Sequence, residues 1–110
     1  MRKTRVTQVN AYLHAEVRQE GNYFVSRCLV LPVVSQGTTP SEAMGNLIEA
    51  TQLFLETCVA RGTLEQVLTK YHWVPQLHPP TTGTLGRNEV VLPVPIPAIL
   101  AKRASRSSSL

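Results

Sequence analysis

From Thr7 to Gln19 the chain reads TQVNAYLHAEVRQ, with Val9, Ala11, Leu13, Ala15 and Val17 apolar and polar or amphipathic residues between them. A period of two held this long predicts a strand with one buried face. Gly21 and Asn22, both tolerant of positive φ, then form a tight turn. The run YFVSRCLVL from Tyr23 is aromatic and β-branched, so it is expected to return antiparallel and to stop at Pro32. The following VVSQG reads as a short third strand ended by Gly37, which completes a meander.

The pattern then changes to a helical one. Thr39 is placed as an N-cap, Pro40 as the first helical residue and Glu42 as the reciprocal arm of a capping box. Ala43, Leu47, Ala50, Phe54 and Cys58 form a stripe, widened by Met44, Ile48, Leu55 and Val59, while Glu49 and Glu56 fall outside it. Gly62 suits the left-handed position after the helix. Thr63 begins a possible short second helix with Leu64, Val67, Leu68 and Tyr71 on its apolar side. Residues 75–88 are turn-rich. NEVVLPVP predicts a last strand, confined to a sheet edge by Pro93, Pro95 and Pro97.

The expected class is therefore α+β: a three-stranded antiparallel meander, a long helix packed on the sheet, a short second helix and an extra C-terminal strand. The organisation divides into a domain over 1–74, a Pro/Gly/Thr-rich loop over 75–88, a C-terminal strand or truncated ribbon element over 89–101 and a basic disordered tail over 102–110. With 110 residues and 43% apolar content, this is one small domain with one core. No apolar run approaches the ~20 residues of a membrane span, and the opening MRKTRV is not an apolar signal core, so a cytoplasmic protein is expected.

Charge and chemistry narrow the picture. The net charge is +4, yet Arg2, Lys3 and Arg5 open the chain and Lys102, Arg103 and Arg106 close it. Between them five basic residues face seven glutamates, a balance of −2. Those six terminal cations are the candidate nucleic-acid contacts, as tails rather than as a folded basic surface. Cys28 and Cys58 have no paired spacing and read as buried apolar residues, with a strand-to-helix disulfide as the alternative. His14, His72 and His78 have no metal-ligand spacing, and no glycine-rich phosphate loop occurs. No cofactor or metal is expected. Cys28 with His14 on neighbouring strands is the sharpest nucleophile pairing available, without a third group to orient it. Tyr12 and Tyr23, expected on adjacent strands, offer either base stacking or ordinary cross-strand packing. Strands followed by one long helix match the order of ribonuclease H folds, whose nucleases gather carboxylates around two metal ions. This chain has no aspartate, and its glutamates are dispersed. A non-enzyme is expected.

The segment EGNYFVSRCLVLPVVSQGTTPSEAMGNLIEATQLFLE resembles the antitoxins of the HicB family. The matching positions are the glutamate–glycine turn at Glu20 and Gly21, the aromatic at Tyr23 or Phe24, Cys28, Pro32, Ser35 to Thr39, Ser41 to Ala43, and Asn46, Leu47, Glu49, Ala50, Leu55 and Glu56 in the helix. The likeness runs from about Val9 to Gly62. Where the family reads C-P-E-L-P-G, this chain has Cys28-Leu29-Val30-Leu31-Pro32-Val33, without the acidic residue and the glycine. The resemblance implies a degenerate, partial ribonuclease H-like fold without catalytic carboxylates. It also implies a protein that binds and masks HicA, a small basic ribonuclease toxin, through sheet-edge and outward strand residues. Tyr12, Glu16, Glu20 and Tyr23 are the expected contacts, and a homodimer or higher oligomer is expected from exposed strand edges. The competing reading is a DNA- or RNA-binding transcriptional regulator that uses the basic tails and a dimeric C-terminal ribbon.

Overall fold

The computed structural model describes residues 8–79 and 85–97. The elements follow in the order β1 (Gln8–Glu20), β2 (Tyr23–Cys28), β3 (Val34–Gly37), α1 (Pro40–Arg61), α2 (Leu64–Lys70) and β4 (Glu89–Pro97). The four strands form one antiparallel sheet in the order β3-β2-β1-β4. The α+β class, the meander, both helices and the extra strand agree with the sequence pattern.

The alternation of β1 becomes the two faces of the sheet. Ala11, Leu13 and Ala15 are fully buried, and Leu92, Val94 and Ile96 of β4 join them on the same side. Across this face lies α1, about 33 Å long at 1.5 Å per residue. It buries Ala43, Leu47, Thr51, Leu55 and Cys58. The stripe is thus centred one step away from the expected Ala43–Ala50–Phe54 line. Ala50 and Phe54 are half-buried and Val59 is exposed, while Thr51 takes a core position. Thr51 is tolerated there because its hydroxyl lies 3.3 Å from Cys28 Sγ, which satisfies a polar group that is costly to bury alone. Both cysteines are free and buried, without a disulfide. Burial and the shortage of water around the sulfur raise the Cys28 thiol pKa, with the Thr51 hydrogen bond opposing.

The ends of α1 are as punctuated as expected, with one difference. Thr39 Oγ1 accepts from the Glu42 amide at 3.0 Å, and Pro40 occupies the first turn. The reciprocal arm reaches one residue further back: Glu42 Oε1 accepts from both the amide and the hydroxyl of Thr38, at 2.6 and 2.8 Å. At the other end Gly62 adopts φ 72°, with its amide on Val59 and the Thr63 amide on Cys58, a Schellman closure. Thr63 makes no side-chain cap for α2, because the preceding closure already holds its backbone.

Three strand boundaries shift. β2 stops at Cys28, four residues before Pro32, where Leu31 and Val33 turn inward to the core. β3 begins at Val34. β4 pairs with β1 over the whole of Gln8–Glu16, so the segment that a dimeric ribbon would pair with a second copy is paired with β1 instead. Val17 donates to Asn88 O at 3.0 Å, which fixes the phase of that ladder. Leu92, Val94 and Ile96 turn their backbone groups to β1, and Pro93, Pro95 and Pro97 occupy the outward phase. From Leu92 to Pro97 that edge offers no outward N–H donor. At the opposite edge the outward residues of β3 are Val34 and Gln36, and the Gln36 carbonyl is taken by Asn46 Nδ2 at 2.8 Å.

α1 sits very close to β3. A Cβ added to Gly37 would lie 2.6 Å from the Ala43 amide nitrogen and 2.9 Å from the Glu42 carbonyl carbon. Gly37→Ala is accordingly expected to destabilise the protein by about 1–3 kcal/mol. Gly45→Ala, where an added Cβ meets nothing within 4 Å, is expected to stabilise it by ~0.5–1 kcal/mol through helix propensity. Urea denaturation of the two variants checks both signs.

Candidate partner-binding face

The face of the sheet opposite α1 carries the even residues of β1 and the odd residues of β2. Tyr12, Glu16 and Glu20 therefore line up along one strand, and Tyr23 lies directly across from Glu20. All four expected contacts share this open face. They do not form one cluster. Tyr12 stands eight residues from Glu20 along β1, about 27 Å at the rise of a strand. Tyr12 and Tyr23 are thus too far apart either to pack across strands or to stack bases together, contrary to both sequence expectations.

The charges divide the face further. Glu16 Oε1 accepts from Arg27 Nε at 3.0 Å, across the directly opposed pair Glu16–Arg27. Among the described residues no such partner meets Glu20, which stands beside Tyr23 at the hairpin end; Tyr23 is 43% exposed. Val34, 63% exposed, stands on the same face but opposite Arg27, at the far end of β2 from Tyr23, and Leu29 just beyond that end is also exposed. The hairpin end thus combines a carboxylate and an aromatic ring, and the exposed aliphatic groups lie about 13 Å further along β2. Arg2, Lys3, Arg5, Lys102, Arg103 and Arg106 lie outside the described residues.

At the other end of the face, sequence reasoning missed a constellation. His14 Nδ1 lies 2.7 Å from Glu89 Oε2. The second oxygen of Glu89 accepts from the Gly86 amide at 2.9 Å. These bonds, the Gly86 amide foremost and then His14, hold the Glu89 carboxyl below its ordinary pKa against a smaller opposing effect of desolvation. The two residues are 75 positions apart in sequence, and only the β1–β4 ladder brings them together. The β1–β2 ladder, with its period of two, places Cys28 opposite Ala15 on the helix-covered face. His14 and Cys28 are therefore on opposite sides of the sheet and make no reactive pair.

Beyond the end of β2 the segment after α2 runs beside β1, where Gln76 O accepts from the Tyr12 amide at 2.8 Å. A cavity of about 550 Å³ opens there, bordered by Tyr12, His14, His72, Trp73, Gln76 and His78 among others. Among the described residues no group of three His, Cys, Asp or Glu side chains is arranged to hold a metal ion. No helix among them is long and apolar enough to cross a membrane.

The lowered carboxyls of Glu89 and Glu42 have a definite pH sign. The Glu42 carboxyl is held down first by the Thr38 amide and then by the Thr38 hydroxyl. A folded-state pKa below the unfolded value contributes stability that is present above about pH 4.3 and is lost as pH falls through the folded-state value. The urea midpoint is expected to drop on acidification, and to drop less in Glu89→Gln and Glu42→Gln. An unchanged acid limb in both variants would assign it to other carboxylates.

Comparison with protein-family models, with curated proteins and with solved structures found no match.

Proposed function

We propose that this chain is a non-catalytic binding module of the HicB antitoxin type, which docks on and masks a small basic HicA-type ribonuclease. The reading includes a partial ribonuclease H-like fold, a cytoplasmic setting and a dimer or higher oligomer. The observation that carries it is the open sheet face, on which Glu20 and Tyr23 present a carboxylate and a ring together at the hairpin end, with Val34 exposed on the same face beside Arg27. A basic protein surface is complemented by this combination: the apolar centre supplies burial and the carboxylate supplies steering. The sequence likeness from Glu20 to Glu56 supports the same assignment, and each matched residue has a local task, such as Thr39 at the cap, Gly37 at the close approach and Asn46 on the β3 edge.

The body of the protein, with seven glutamates against five basic residues between the tails, favours a cationic partner over a polyanion. Self-association is directed to one edge. The prolines of β4 remove the donors that a further strand needs, whereas Val34 on β3 keeps both backbone groups outward.

The test is to capture the tagged full-length protein from its own cells, identify any stoichiometric partner and assay that partner alone for RNA cleavage. A small basic protein that cleaves RNA, and is silenced on adding back one equivalent of this chain, is the expected outcome. Glu20→Lys and Tyr23→Ala are expected to weaken the complex about tenfold or more each, with the fold intact. Capture of nucleic acid alone, released at high salt, would instead favour the regulator reading through the basic tails.

A further inference from the structure

Every histidine in the chain borders the same cavity. His14 comes from β1, and His72 and His78 come from the segment after α2. Nothing in the docking of a protein on the hairpin end uses them. The volume, about 550 Å³, lies within the ~300–1,000 Å³ of small-molecule sites.

His14 is the oriented member. Glu89 has both oxygens engaged, by the Gly86 amide and by His14 Nδ1. An ionised carboxylate only accepts, so Nδ1 carries the hydrogen and the neutral ring keeps a lone pair on Nε2. Glu89 approaches from the β4 side of β1, whereas the segment containing Gln76 lies on the other side. The free nitrogen, across the ring from Nδ1, is therefore turned to the cavity.

His72 adds a second, independent sign. It has φ 51°, and among the described residues it is the one non-glycine residue with positive φ. It follows α2, with its amide on Thr69 O and the next amide, of Trp73, on Leu68 O. Glycine is the ordinary occupant of such a helix-ending position, and a side chain there costs about 1–2 kcal/mol. Strain of this kind at a cavity rim points to a use for the side chain.

The lining selects the ligand class. Among the described residues it contains no lysine or arginine, and Glu89, bonded to the lining residue His14, is negative, which disfavours anions. No three potential ligands among the described residues are arranged for an ion. The half-buried Tyr12 supplies aromatic surface, the almost fully buried Trp73 closes the wall behind it, and Gln76 and the histidines supply polar groups around them. We propose that this cavity binds an uncharged planar heterocycle of the nucleobase class, with a ring N–H donating to His14 Nε2, the ring face lying against Tyr12 and its edge reaching the wall to which Trp73 belongs.

Trp73 is the only tryptophan in the chain, so its fluorescence reports the site directly. The full-length protein is titrated with adenosine, guanosine, cytidine and uridine, and separately with zinc chloride and inorganic phosphate. At least one nucleoside is expected to give a saturable change, weakened about tenfold or more in His14→Leu, since the ligand's donor then loses its acceptor. The solvent-exposed Glu49→Ala is expected to match the parent protein. If His14→Leu does not fold, nitrogen NMR of the parent imidazole decides, with His14 Nε2 expected to shift on nucleoside addition. The proposal is overturned if no nucleoside perturbs Trp73 or His14 Nε2, if His14→Leu folds and binds equally well, or if zinc or phosphate alone saturates the signal. The outcome is independent of whether a protein partner is captured.

Discussion

The close seating of α1 on the β2–β3 side of the sheet sets the rest of the architecture. Only small groups fit in that contact. Gly37 meets the first turn of the helix, and the buried Ser26 donates its hydroxyl to Ala43 O at 2.7 Å. The Cys28–Thr51 contact continues the same line about two helical turns on. These contacts lock both the rotation and the height of the helix, because its turns must match the strand residues that meet them. Among the described residues no buried side-chain nitrogen or oxygen lacks a partner, so the polar groups in this seam specify geometry without an unpaired remainder.

With one face committed to the helix, the opposite face is left open, and the two sheet edges become unequal. β4 ends the sheet with prolines in the outward phase, while β3 ends it with four residues and one carbonyl occupied by Asn46. The first edge is closed to strand addition by chemistry and the second is limited by length. A protein partner of the proposed kind would therefore meet side chains of the open face, Glu20 and Tyr23 at the hairpin end and Val34 beside Arg27. The cavity occupies the other end of β1, where β2 has left the sheet and the segment around Gln76 replaces it. Tyr12 belongs to both regions, so a ligand in the cavity and a protein on the face would meet at one side chain.

Local signals in the sequence were strong wherever one element decides its own conformation. The alternation of Val9 to Val17 gave the strand and its buried side, and Thr39, Pro40, Glu42 and Gly62 gave the helix and both of its ends. The early stop of β2 was less visible, since Leu29, Val30 and Leu31 have strand propensity. Leu29 still donates its amide to His14 O at 3.0 Å, and Val30 and Leu31 then leave the ladder as Leu31 and Val33 turn into the core. Thr51 was missed for a similar reason: its hydroxyl is acceptable in the core only with Cys28 opposite.

The sequence by itself determined the order of elements, the face that β1 buries, the punctuation of α1 and the restriction of the proline-rich segment to an edge. Each follows from spacings of a few residues. Tertiary structure alone decided that this segment pairs with β1, that His14 meets Glu89 across 75 positions and that three dispersed histidines border one cavity. Such encounters depend on which strands become neighbours, and that is fixed by burial of the whole sheet against α1, a constraint with no local period to read.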